Sequence, residues 1–253
     1  MPIRFVSYIP SAIYPNPENV ISPVTTLASL RWLMAMLNDH PEINASGEIL
    51  LQSSTSVDSL RIIDEFLAPK ENDDIVHHAF KYFEGQGGLN FCPGEIETAE
   101  DKKFLKRVLA AKAKIVVFER EGLALLVSKI KHQETQAYRC GDAACVVESQ
   151  AHQVFIDPGT VLTRLNNFMK SWNQELACVR ASVPFGRILY LNYGDLGRDT
   201  PGEMRRLFAF LGVSVDRQVN VKVTLKMGHA NIYDSISNAN EIRDVLNGTI
   251  WEV

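Results

Sequence analysis

The sequence predicts an α/β fold built on a mainly parallel sheet, and three observations carry that prediction. Strand-like and helix-like segments alternate along the chain, the pattern of βαβ units. One run, "AKIVVFE" at 113–119, is continuously apolar from Ile115 to Phe118, as a strand covered on both faces must be. The apolar share of 46% and charged share of 22% are those of an ordinary globular protein of 253 residues.

Element by element, "RFVSYI" reads as a short first strand, rich in β-formers. The Pro-rich "PSAIYPNPENVISP" cannot be a regular helix and is an extended loop. "VTTLASLRWLMAMLND" has helical apolar spacing, with Thr25 or Thr26 near its start. Two amphipathic helices are expected around Val57–Leu67 and Asp74–Phe83. "TAEDKKFLKRVLAAK" opens with a Thr98…Asp101 capping signal. After "AKIVVFE", the segment "EGLALLVSKIKHQ" reads as helix, and 139–153 as irregular and exposed. A long helix should follow with Asp157 as N-cap and Pro158 at its first position. "RILYLNY" is another buried strand. "DTPGEMRRLFAFLG" reads as a helix capped by Thr200, with Pro201 at N1, Glu203 completing the box and Gly212 as the stop. "SISNANEIRDVLNG" closes the chain as a helix, and with no repeat or linker in sight 1–253 is expected to form one domain.

A net charge of −4 gives no general pull toward nucleic acid or anionic lipid. The four cysteines do not make a disulfide framework in a chain this long. Cys140 and Cys145, with His132 and His152 nearby, lack the tighter paired spacing usual for zinc, so no metal is expected. The N-terminal stretch lacks an apolar signal region, and no window approaches 18 uninterrupted apolar residues. The expected setting is the cytoplasm.

Chemistry concentrates at "IVVFEREGLALLVSKIKHQETQAY". A parallel strand delivers its last residues to the carboxyl edge of the sheet, where open α/β folds bind ligands. Arg120 stands at that point, and Ser128 follows in the early turns of the next helix. A guanidinium fork with a hydroxyl suits a phosphate, although such a pair also arises as a surface Arg and an unrelated helix Ser.

This stretch resembles the 3′-phosphate-binding segment of sulfotransferases that use 3′-phosphoadenylyl sulfate (PAPS), most closely the bacterial nodulation-factor, lipopolysaccharide and trehalose type. Arg120 and Ser128 keep the motif's spacing, Thr135 stands at its Thr, and Tyr138 replaces its Trp. Three further segments resemble the family in order. "LNDHPEINASGEILL" places Glu48 at the acidic position, "RILYLNYGDLGRDTPGEMRRLFAFLGV" follows the Tyr-Glu-Asp-Leu…Phe-Leu-Gly segment with Gly194 in place of Glu, and "DSISNANEIRDVLNGT" follows the C-terminal one. Together they span most of 20–250.

The family's first loop, Pro-[Arg/Lys]-[Ser/Thr]-Gly-[Ser/Thr]-[Ser/Thr], is missing. Aligned directly, Ser22 takes the basic position, Pro23 lacks an amide hydrogen and Val24 replaces glycine; counted back from His40-Pro41, Leu27 takes the basic position. Arg4, Arg31 or Lys226 could supply the lost charge in space.

The resemblance implies a P-loop-like three-layer fold, with helices flanking the parallel sheet, and transfer of a sulfuryl group from PAPS to a hydroxyl of a glycan or small metabolite. It assigns the 3′-phosphate to Arg120 and Ser128, the 5′-phosphosulfate to Thr25 and Thr26, and the general base to Glu48, which on its residues alone equally caps or solvates the loop after Gly47. His40 beside Pro41 reads as structural, and His77 and His78 as minor acceptor-site candidates. The degenerate first loop keeps a second reading open: a protein of this fold that binds a nucleotide or metabolite without transfer, or an enzyme repurposed on it.

Overall fold

The computed structural model describes residues 3–9, 27–46, 55–67, 77–83, 98–135, 151–215 and 231–252. Five strands, β1 (Ile3–Ile9), β2 (Ile43–Ser46), β3 (His77–Phe83), β4 (Lys114–Glu119) and β5 (Ile188–Asn192), form one sheet in the order β2-β3-β1-β4-β5. Every pairing is parallel, so helices must return the chain between strands. These include α1 (Leu27–Asn38), α2 (Ser56–Leu67), α3 (Ala99–Ala110), α4 (Gly122–Thr135), α5 (Val161–Ser182), α6 (Tyr193–Arg198), α7 (Thr200–Leu211) and α8 (Ala239–Leu246). The α/β fold with a parallel sheet is the one the alternation of segments predicts.

One expected helix is a strand. The segment 77–83 pairs along its length with β1, from Ile3↔His77 to Ile9↔Phe83, and with β2 from Ile43↔His77 to Ser46↔Phe80. "HHAFKYF" is too short for its apolar spacing to separate the two periods, and its aromatic content favours a strand. The helical placement of His77 and His78 falls with it.

Residues divide into two compact units. The first comprises Met1–Ser11, Leu30–Glu119 and Gln174–Val221, and the second Ala12–Ser29, Arg120–Asn173 and Lys222–Val253. In the first, Ile115, Val116, Val117 and Phe118 of β4 are buried with Phe104, Phe208 and Leu33, as the continuous apolar run requires. Cations serve the carbonyl ends of its helices, where the dipole favours positive charge. Lys114 Nζ donates to the carbonyl oxygens of Phe210 and Leu211, and Arg187 Nη1 to that of Leu109 at 3.2 Å. Burial lowers the Lys114 pKa. His40 is structural, as expected: it is 2% exposed, Nε2 meets the Ser214 carbonyl at 3.0 Å, and Nδ1 accepts from Glu42 N at 3.2 Å.

The caps are only partly as read. The Thr98–Asp101 box is present, with Thr98 accepting from Asp101 N and Asp101 from Thr98 N. The cap of α7 is Asp199, which accepts from Gly202 N at 3.0 Å, whereas Thr200 Oγ1 donates back to Leu196 O at 2.7 Å. A carboxylate one residue earlier wins because Thr200 is already spent on the preceding turn. Gly212 ends α7 in the left-handed region at φ 86°, as expected. Asp157 precedes the helix as expected, its carbonyl oxygen accepting from Val161 N at 3.1 Å. Its Oδ1 accepts from Gly159 N at 3.0 Å, and α5 becomes regular at Val161. Cys178 on α5 is disulfide-bonded, a pairing that sequence spacing did not reveal.

In the second unit, α4 and α5 pack through Leu123, Leu126, Val127 and Ile130 against Val161 and Leu165. The core is completed by Val154, Ile156, Tyr233, Ile236, Ile242, Leu246 and Trp251. Val154 bridges Ile236 in parallel fashion, held by Val154 N to Ser235 O and Ser237 N to Val154 O, both at 2.9 Å.

Candidate functional site

Two of the expected site residues, Arg120 and Ser128, fall among the described residues, after the carboxyl end of β4. β4 ends at Glu119, Arg120 and Glu121 form a two-residue turn, and α4 starts at Gly122. Arg120 is half-buried with its Nε covered by protein. Ser128 is also half-buried and lies at the end of the second turn of α4, a rise of about 9 Å from Gly122. Both belong to the second unit.

Helix α4 carries two half-buried lysines. Lys129, next to Ser128, is half-buried, and its pKa is lowered first by burial and then by the charge of Arg164 on α5. Lys131 is half-buried too, with its pKa lowered by burial. A cation whose charged form is disfavoured by desolvation and a like charge gains from an incoming anion. Arg164 lies among Val161, Leu165 and Phe168, residues of the apolar face of α5. Sequence reading missed this pair because Lys129 and Arg164 lie on different helices.

Glu119 was missed as well. It is the last residue of β4, registered opposite Asn192 of β5, and half-buried. Burial raises its pKa, and the Arg180 charge pulls it part of the way back. A titratable group at a strand's carboxyl end is a signal the sequence did contain, overshadowed by the arginine beside it.

Glu48, Thr25 and Thr26 lie outside the described residues, as do Arg4's and Arg31's side chains, Tyr138 and Lys226. His132's and Thr135's side chains are likewise outside them. His152, the other member of the loose zinc idea, meets Glu134 at 2.7 Å. Among the described residues no group of three or more His, Cys, Asp or Glu could hold a metal ion, and no helix is long and apolar enough to cross a membrane.

The sulfotransferase domain family matches residues 31–233, which include β4, Arg120 and Ser128. The chain belongs to the sulfotransferase family. Among solved structures, this sulfotransferase is similar to a sulfotransferase from Alicyclobacillus acidocaldarius, with a TM-score of 0.48 and 11% identity over 89% of this chain and 86% of that one. It is also similar to the mouse sulfotransferase SULT7A1 complexed with PAP, with a TM-score of 0.46 and 14% identity over 86% of this chain and 61% of the mouse chain. No curated protein matches the sequence.

Proposed function

We propose that this sulfotransferase uses PAPS and moves its sulfuryl group to a hydroxyl of a glycan or small metabolite. The observation that carries the reading is the placement of Arg120 in the β4–α4 turn and of Ser128 on α4, in a chain of this family. Arg120 and Ser128 hold the 3′-phosphate of the donor. The half-buried cations Lys129 and Lys131 add a field that favours a phosphate dianion over water. A guanidinium, a hydroxyl and two lysines suit the 3′ half of the nucleotide.

At the other end, Thr25 and Thr26 meet the 5′-phosphosulfate, and Glu48 takes the acceptor's proton. The acceptor oxygen attacks sulfur in line, the bond from sulfur to the 5′-phosphate oxygen breaks, and PAP leaves with the electron pair. Fixed donors aimed at the leaving phosphate lower the barrier more than they bind the ground state. The reading takes a bacterial-type enzyme in the cytoplasm, with no resident metal. Incubation with PAPS carrying labelled sulfate and a panel of sugars, glycolipids and small alcohols tests it. Label in any hydroxyl acceptor, lost in Glu48→Gln, is the expected result; label retained only in PAPS across the panel counts against transfer.

A second reading has its own observation. The first loop lacks the Lys or Arg and the Gly that cradle the 5′-phosphosulfate, with Ser22, Pro23 and Val24 or Leu27 in their places. A protein that binds the nucleotide without transferring sulfate fits that loss. PAP binding without label transfer separates it from the first reading.

A further inference from the structure

Trp251 lies beyond residues 31–233 that match the family, yet it packs on the start of the helix that carries Ser128. The residue is 7% exposed. A Cβ built on Gly122 would lie 2.5 Å from Trp251 Cζ3 and 3.2 Å from Cε3 and Cη2, so only glycine lets the indole sit there. The ring cannot swing aside freely, since Nε1 donates to Asn166 Oδ1 on α5 at 3.0 Å. The segment that delivers it is also fastened. Thr249 Oγ1 donates to Leu246 O at 2.7 Å and accepts from Trp251 N at 3.1 Å, while Glu252 Oε2 accepts from Gly248 N at 2.9 Å.

We propose that Trp251 is a positioning residue for the nucleotide site: seated on Gly122 and tied to Asn166, it fixes the first turn of α4 and so the relative placement of Arg120 and Ser128. This rests on the reading of those two residues as the 3′-phosphate clamp. Gly122 lies two residues from Arg120 and six from Ser128, so a tilt of the helix start moves one against the other. A clamp built from one residue in a turn and one on the helix after it loses its fit with a displacement of an ångström or less. The ligand feature recognised is a phosphate on the ribose 3′ position. Trp251 therefore governs discrimination between PAP and AMP, which lacks that phosphate, and not adenine nucleotide binding at large.

Calorimetric titration with PAP and with AMP tests this on the full chain and on Trp251→Ala, Trp251→Phe, Gly122→Ala and the Gly122→Ala/Trp251→Ala pair. Trp251→Ala and Gly122→Ala should each weaken PAP by roughly ten-fold while AMP affinity stays within about two-fold. The pair should be no worse than either alone, because both changes remove one contact. Trp251→Phe, which keeps a ring over Gly122, should retain most of the preference. Equal loss toward PAP and AMP, or an unchanged ratio in Trp251→Ala and Gly122→Ala, overturns the proposal. An unmodified chain that shows no preference for PAP over AMP removes the clamp on which it rests. Hydrogen exchange distinguishes that case from failure of the brace. Amides of 122–128 should exchange faster in Trp251→Ala, or in Trp251→Phe to a lesser degree should the alanine variant not fold, and unchanged exchange sinks the packing claim itself.

Discussion

Arg180 Nε donates to the Tyr190 hydroxyl at 3.0 Å, and the same guanidinium sits 5.3 Å from the centre of the Tyr190 ring. Tyr190 lies opposite Val117 in the β4–β5 register, two positions before the Glu119↔Asn192 pair. Arg180 thus joins the end of α5 to β5 and places its positive charge near the half-buried Glu119 carboxylate. The charge offsets part of the desolvation that Glu119 suffers, but not all of it.

The pH dependence follows from that balance. The Glu119 pKa is raised in the folded chain, so folding binds its proton more tightly. The stability this group contributes is fully present below the unfolded value of about 4.3 and is lost as pH rises through the folded value. Glu119→Gln, neutral throughout, should be at least as stable as the parent at pH 7 in urea titrations, with its advantage shrinking as pH falls through the raised folded value and gone below about pH 4.3. A variant that is less stable than the parent at pH 7, but equal at pH 4, would show the carboxylate to be stabilising.

The Thr98 box gives a second test. Asp101 is 1% exposed and accepts from Thr98 N at 2.9 Å and from Thr98 Oγ1 at 2.7 Å. Thr98→Ala should cost about 1 kcal/mol by urea denaturation, while Thr98→Ser should cost little. Equal stability of the alanine variant and the parent would mean that the box adds nothing.

At the start of α7 the prediction separates two neighbouring residues. A Cβ at Gly202 would meet the Asp199 carboxylate at 2.1 Å, so the cap and the glycine are fitted to each other. Gly202→Ala should therefore displace the Asp199 carboxylate, and Asp199→Ala should lose about 1 kcal/mol. Because both act through one hydrogen bond, the double variant should cost less than the sum. Additive losses would contradict the shared contact.

For His40, structural and catalytic roles predict opposite readouts. Its ring packs at 4.7 Å from the Phe208 ring and meets the Ser214 carbonyl across 174 residues of sequence. His40→Ala should cost about 2–3 kcal/mol in thermal or urea unfolding, from lost burial and two hydrogen bonds. Nucleotide affinity, measured below the unfolding transition, should not change. A large loss of affinity with stability intact would assign His40 to the site.

Much of this was legible in the sequence where local chemistry decides the outcome. The apolar run of β4, the Thr98 box and the Gly212 stop act over a few residues, and each is as read. Segment 77–83 was misread because its partners are β1 and β2, and no window within seven residues contains them. Asp199 displaced Thr200 as the cap because the Thr200 hydroxyl bonds backward to Leu196, a choice set by the preceding helix. Of the proposed site, Arg120 and Ser128 fall within reach of a sequence window because they lie in one turn and one helix. Lys129 with Arg164, and Gly122 with Trp251, do not, because packing between distant segments brings each pair together.

The most direct test of the donor-site claim is a calorimetric titration of PAP into the unmodified chain and into Arg120→Ala. A charge-assisted phosphate contact is worth about 1.5–3 kcal/mol, so the substitution should weaken a saturable PAP isotherm by about ten- to hundred-fold. Absence of saturable binding by the unmodified chain, or equal affinity in the two proteins, would contradict the account.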